Sequence, residues 1–229
     1  MRGPALREAV EWRVEIWAPA VENALKKAVT VLPADARILE IGYNSGMMSC
    51  YMASQYDWNI VGYDVKESTR VKAEENARKY GLQAKIEFRV CSPRDTISIQ
   101  GPFDAVFLKS VLYHISNKNF YKSWVDWLHD VVRNGGLVMA IENGKGGLLD
   151  KIYRDCIKRS RWAGFILFDS WTETAFRNRF RNVDVKYYGR ISQFFSSWPK
   201  AFEIVRALEE RFLPANSEHC FVASIVAQR

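Results

Sequence analysis

Between Arg37 and Ile141, short apolar runs alternate with longer stretches of helical periodicity, and no other feature restricts the fold as much. Arg37–Ile41, Asn59–Tyr63, Ala84–Val90, Phe103–Leu108 and Gly136–Ile141 read as strands. Ser45–Tyr56, Lys66–Tyr80 (closed by Gly81 as its C-cap) and Asn117–Val132 read as helices. Strand and helix in this order imply right-handed crossovers and a parallel sheet with helices on both faces. Ligands of such sheets sit outside the carboxyl ends of the strands, so the residues just after each strand are the ones to examine. Two further strands are expected at Val183–Tyr188 and Cys220–Val226, with a helix over Trp198–Phe212 between them. Helices are also expected over Pro4–Val29, broken or kinked at Pro19, over Gly146–Trp162 and over Trp171–Phe180. Phe194–Pro199 reads as a loop.

Composition narrows the class. A chain of 229 residues suits a single domain: an N-terminal helical segment (1–32), a core (33–143), and cap insertions with the last two strands (144–229). With 48% hydrophobic and 26% charged residues it has enough apolar surface to offset the ordering entropy of folding. No run approaches the roughly 18 apolar residues that span a bilayer. Met1–Val10 has no apolar stretch of the kind a secretory leader needs. Cys50, Cys91, Cys156 and Cys220 are scattered without a CxxC pair, which fits buried thiols in a reducing, cytoplasmic setting. His114, His129 and His219 form no HxH or HExxH pattern, so no metal site is expected. The formal charge of +7 is concentrated between Lys145 and Ser192, where 11 Lys/Arg face 5 Asp/Glu. Such a field suits nucleic acid, an anionic membrane, an acidic substrate, or simply a solvated face.

The first strand runs into Leu39-Glu40-Ile41-Gly42-Tyr43-Asn44-Ser45-Gly46. A glycine here lets the backbone turn sharply and a ligand approach closely. A dinucleotide fingerprint would need glycines at 44 and 47, where Asn44 and Met47 stand. Gly144-Lys145-Gly146-Gly147 lacks the spacing of a phosphate-binding loop.

The pattern Glu40-x-Gly42-x-x-x-Gly46 resembles the first motif of the class I S-adenosylmethionine-dependent methyltransferases. Asp64 ends the second strand, where the family's acidic residue takes both ribose hydroxyls. Cys91-Ser92-Pro93 follows the third strand, where the family meets the adenine amine. Phe103–Leu108 with Lys109–His114 is similar to its fourth motif, and Asn134-Gly135-Gly136 to its Pro-Gly-Gly turn. The resemblance covers about Pro33 to Asn143. It departs at Asn44, Ser92 and Asn134, which stand for a glycine, an aspartate and a proline. It implies a Rossmann-like α/β three-layer sandwich, with a seven-stranded, mostly parallel sheet whose last strand is antiparallel. An N-terminal helix and an aromatic, basic helical cap are added to it. The implied cofactor is S-adenosyl-L-methionine, with S-adenosyl-L-homocysteine as product. The implied cofactor residues are Glu40, Gly42, Tyr43, Asn44, Gly46, Asp64, Val65, Ser92, Pro93 and Lys109.

A hydroxyl acceptor must lose a proton, and His114, just past the fourth strand, has a side chain whose ordinary pKa near 6.5 suits a general base. Tyr113 and Glu142 are the alternates. Against a base, His114 caps a turn or packs beside the cofactor, and Glu142 belongs to a turn. The many aromatics from Trp162 to Trp198 are core or acceptor pocket, and Trp12 and Trp17 pack or fold over the cofactor. Leu108-Lys109-Ser110-Val111 lacks the Asn/Asp-Pro-Pro-aromatic sequence of the family's amino-base enzymes, so a small-molecule acceptor, anionic if the basic cap binds it, leads. An RNA or protein methyltransferase docking through the basic cap, and a non-catalytic cofactor-binding interaction module, are the other readings.

Overall fold

The computed structural model describes residues 3–146, 166–213 and 215–229. Its sheet has seven strands: β1 (Arg37–Ile41), β2 (Asn59–Asp64), β3 (Ile86–Val90), β4 (Phe103–Lys109), β5 (Val132–Asn143), β6 (Asn182–Tyr188) and β7 (Val222–Gln228). The spatial order is β3-β2-β1-β4-β5-β7-β6. The first five strands run parallel, and β7 lies antiparallel between β5 and β6. The strand order reverses between β1 and β4, where open α/β sheets place their ligands.

Period-2 alternation gives the sheet two buried faces. Ala105 and Phe107 of β4 join one hydrophobic cluster and Val106 and Leu108 the other. Over the first face lie α1 (Leu6–Val10), α2 (Val14–Val29), α3 (Met47–Tyr56) and α4 (Glu67–Lys79). Over the second lie α6 (Lys118–Val131) and α7 (Ser170–Arg179), with Tyr121, Trp124, Leu128 and Phe176 buried. The short α5 (Pro93–Thr96) follows β3, and α8 (Pro199–Phe212) precedes β7.

Several boundaries differ from expectation. The N-terminal helix does not break at Pro19, which sits inside an unbroken α2; it breaks at Glu11–Arg13. Glu11 (φ 64°) and Arg13 (φ 41°) take left-handed backbone there. Proline inside a helix removes one hydrogen bond and crowds the carbonyl four residues back, which α2 absorbs without ending, whereas two left-handed residues redirect the chain. β5 begins at Val132, ahead of the glycine pair, and part of the loop expected at Phe194–Pro199 is a 3₁₀ turn, Ser192–Phe195. Past Gly146, the helix expected over Gly146–Trp162 lies outside the described residues. Among the described residues no helix is long and apolar enough to cross a membrane.

Candidate active site

A cleft of about 1510 Å³ opens beyond the carboxyl ends of β1 to β4. Its floor is the turn between β1 and α3. Gly42, Asn44 and Gly46 all have positive φ (77°, 48° and 72°), which makes the turn compact. Asn44 holds the left-handed position where the resembling family commonly has glycine, a conformation asparagine tolerates better than most residues. Gly42 lines the cleft, and a Cβ on it would lie 2.7 Å from Val111 Cγ2. Gly46 does not line the cleft. It lets α3 begin directly against Ala73 and Phe88, to which an added Cβ would come within 2.7 Å.

Asp64 stands at the end of β2, and its carboxylate is held by backbone alone. Asn44 N–H donates to Oδ2 (2.9 Å) and Val65 N–H to Oδ1 (2.7 Å). An ionised carboxylate has about four acceptor sites, so this arrangement fixes its orientation and leaves capacity for two hydroxyl donors. Tyr43 packs its ring on Phe88 (centroids 4.6 Å apart) and donates its hydroxyl to Arg89 O (3.1 Å). Burial pushes the Tyr43 phenol up to about 12.

At the other end of the cleft is a group of charges. Glu40 is buried at 3% exposure and accepts from Ser49 Oγ. Burial raises its carboxyl to about 7, against the pull of Ser49 and of Lys109. Lys109 ends β4, and burial lowers its ammonium while the charges of Glu11, Glu40 and Glu142 raise it. Its Nζ donates to Val10 O (3.4 Å). Glu11 was not foreseen in the sequence. It accepts from Ser45 Oγ (2.6 Å) and Asn44 Nδ2 (3.3 Å), tying the break between α1 and α2 to the β1–α3 turn. Only the unpredicted chain reversal at residues 11–13 brings it there, and nothing local marks it. Trp12 is 51% exposed and Trp17 is buried, and neither lines the cleft; Ala9 and Glu11 do.

Ser92 and Pro93 line the cleft, but the Ser92 hydroxyl is engaged in capping α5. It accepts from Asp95 N–H (3.2 Å) and donates to Asp95 Oδ2 (2.7 Å). Across from it, the segment after β4 forms a 3₁₀ turn, Leu112–His114, that brings Tyr113 and His114 to the cleft with ring centroids 4.0 Å apart. Partial burial lowers the imidazole of His114, while burial and the Glu142 charge raise the phenol of Tyr113. A lowered imidazole is neutral at pH 7 and ready to accept a proton. Glu142 does not line the cleft. It is buried at 2% exposure behind this turn, with its carboxyl raised to about 7 by burial. Phe120 and Trp124 of α6, with Ile97 and Arg94, complete the wall on this side.

Among the described residues, none of the aromatics after Phe165 lines the cleft. Phe168, Phe176 and Phe180 are core, and Trp198 is 64% exposed. Trp162 and Phe165 lie outside the described residues. Parts of the basic segment are internally paired. Lys145 bridges to Asp169 and Glu218, Arg177 to Glu173, and Arg179 to Asp126 and Asp130. Lys151, Arg154, Lys158, Arg159 and Arg161 lie outside the described residues.

Residues 38–136 match a family model described as a methyltransferase domain. Over these residues the chain is similar to methyltransferase domains. A phosphoethanolamine N-methyltransferase of Zea mays is 28% identical over 104 residues, 45% of this chain and 20% of the relative, so the chain spans about a fifth of that relative's length. Phosphoethanolamine N-methyltransferase 2 of Haemonchus contortus, solved with S-adenosyl-L-methionine, superposes with a TM-score of 0.64 at 18% identity, over 93% of this chain and 52% of that one. A SAM-dependent methyltransferase of Archaeoglobus fulgidus superposes with a TM-score of 0.63 at 10% identity, over 92% and 94%. At these identities the two structures share the fold.

The donor set of the cleft fits S-adenosylmethionine, the cofactor that the resemblance implies. The oriented Asp64 carboxylate suits a ribose diol. Gly42 leaves room where a Cβ would intrude. Glu11 and Glu40 with Lys109 offer both signs of charge to a zwitterionic amino-acid end.

Proposed function

We propose that the chain transfers a methyl group from S-adenosylmethionine to a small-molecule hydroxyl, with His114 taking the proton. The observation that carries this reading is Asp64, held by two backbone N–H groups at the rim of the cleft, with the Tyr113–His114 turn on the same cleft. When bound, S-adenosylmethionine supplies an electrophilic methyl on a sulfonium. The protein then has to position the acceptor in line and exclude water. In this reading Asp64 holds the ribose. Glu40, Glu11 and Lys109 hold the amino-acid end, with Gly42, Tyr43 and Asn44 forming the floor between. Val65, Ser92 and Pro93 border the adenine side. His114, neutral at working pH, accepts the hydroxyl proton at an imidazole nitrogen; Tyr113 packs against it, tilted by 35°, and orients the ring.

A second reading is an amine acceptor, favoured by the likeness to phosphoethanolamine N-methyltransferases. An amine attacks as its neutral form and needs no strong base, and Arg94 and Lys66 on the cleft would meet an anionic tail. Among the described basic residues, Lys145, Arg177 and Arg179 are engaged by carboxylates, which lowers the charge those three offer a nucleic acid.

Transfer of labelled methyl to a panel of hydroxyl metabolites, with phosphoethanolamine beside them, separates the two. On a hydroxyl acceptor, His114→Ala is expected to lower kcat by about 10²–10⁴-fold. Its rate profile also loses the limb that rises with pH through the lowered imidazole value. An undiminished kcat for His114→Ala overturns the base role, and turnover confined to phosphoethanolamine favours the amine.

A further inference from the structure

Behind the cleft, the last two residues of β5 reach across to β4's exit. Asn143 Nδ2 donates to Ser110 Oγ (3.0 Å), where Ser110 has left-handed backbone at φ 57°. The N–H groups of Val111 and Leu112 both donate to Glu142 Oε1 (3.0 Å each). The Ser110 N–H donates in turn to Ile141 O (2.9 Å), which extends the β4–β5 ladder into the turn. Glu142 Oε2 is buried with no hydrogen-bond partner. A carboxylate in a buried, half-satisfied position is a costly way to fill space, and a leucine or methionine there would pack without that penalty. What the carboxylate supplies is one oxygen that accepts two consecutive backbone N–H groups.

We infer that Glu142, assisted by Asn143, is a positioning residue that sets the turn carrying Tyr113 and His114 at the edge of the cleft. A left-handed residue at 110 followed by a 3₁₀ turn leaves the N–H groups of 111 and 112 without partners in the sheet ladder. Glu142 answers both from one rigid, central strand. The turn is therefore fixed to the sheet and does not depend on ligand contacts to hold it. Val111 is also the residue whose methyl lies nearest to where a side chain on Gly42 would begin, so the same anchor sets the gap between the two cleft walls. The charged and titratable groups facing Glu142 are Lys109 on β4, Tyr113 on the turn and Tyr121 on α6. Burial holds the proton on Glu142 up to about pH 7, so raising the pH through the neutral range favours opening of the turn, which solvates the carboxylate. The functional meaning of the role rests on the proposed methyl transfer at this cleft, but the anchoring itself does not.

The test is amide hydrogen exchange on ¹⁵N-labelled full-length protein, comparing wild type with Glu142→Gln, Glu142→Ala and Asn143→Ala. In Glu142→Ala the Val111 and Leu112 amides are expected to exchange about 10-fold faster or more. Ile38 and Val106 in the sheet centre should keep their protection and so report that the fold is intact. Glu142→Gln retains a side-chain carbonyl and is expected to restore most of the protection. In wild type, protection of the two amides, corrected for the intrinsic pH dependence of exchange, falls from pH 6 to pH 8; in Glu142→Gln it is flat. Asn143→Ala is expected to loosen Ser110 and serves if Glu142→Ala does not fold. Exchange at Val111 and Leu112 unchanged in Glu142→Ala, or equally fast in Glu142→Gln and Glu142→Ala, overturns the inference. A parallel calorimetric titration with S-adenosylmethionine keeps the two ideas apart. If wild type takes up none, the cofactor reading falls while the exchange rates still decide the anchor.

Discussion

At the scale of single residues, the account rests on side chains whose orientation is fixed before any ligand arrives. Asp64 is the clearest case, because both of its hydrogen bonds come from backbone N–H groups of adjoining loops. Asp64→Ala should therefore weaken S-adenosylmethionine binding by about 1.5–3 kcal/mol, roughly 10- to 150-fold, as calorimetric titration reads it. Unaltered affinity would remove Asp64 from the site. Asp64 was legible in the sequence because it ends a strand with a recognisable apolar pattern, and the position of a strand end follows from the strand. Glu11 was not, because its place depends on left-handed backbone at two non-glycine residues, which no local pattern announces. Glu142 was legible as a residue at the ligand edge, but its direction was not. Facing the cleft or lying behind the turn differs by one step of strand alternation, and the 3₁₀ turn after β4 decides which occurs.

At the scale of elements, the β1–α3 turn holds three positive-φ residues in five positions. Gly42-x-x-x-Gly46 was readable as a ligand turn, yet its two glycines do different work. Gly46 is enclosed by Ala73 and Phe88, while Gly135, also at positive φ, has nothing within 4 Å of an added Cβ. Gly46→Ala thus combines left-handed strain with overpacking and should lower stability by about 2–4 kcal/mol. Gly135→Ala should lose only the strain, about 1–2 kcal/mol. Urea midpoints of the two variants check this, and equal losses would contradict the packing role given to Gly46. The strands and most helices of the core were foreseen because parallel strands buried on both faces read as continuous apolar runs. The break of the N-terminal helix was misplaced because proline was weighed by its identity, whereas the buried face of α2 on either side of Pro19 holds the helix together through it.

At the scale of the whole molecule, two buried carboxyls, Glu40 and Glu142, lie at about 7 where an ordinary glutamate lies at 4.5. The folded state therefore holds protons that the unfolded chain has released. The stability this provides is fully present below about pH 4.5, is lost as pH climbs to about 7, and then levels off. The Tm of the ligand-free protein should fall across that window. Glu142→Gln should flatten the fall, and an unchanged slope would show that Glu142 titrates normally. The parallel sheet with helices on both faces followed from the alternation of strands and helices, and the antiparallel last strand from the resemblance, whereas the spatial order of the strands is a finding of the structure. The acceptor did not follow, because a fold of this kind serves many reactions and specificity lies in the side chains lining one cleft. The central claim is that the cleft at the reversal of strand order takes S-adenosylmethionine and not a dinucleotide. Calorimetric titration of the purified protein with S-adenosylmethionine, beside NADH, tests it most directly. The account predicts saturable binding of S-adenosylmethionine with a Kd on the order of micromolar and no heat from NADH; binding of NADH, or of neither, would contradict it.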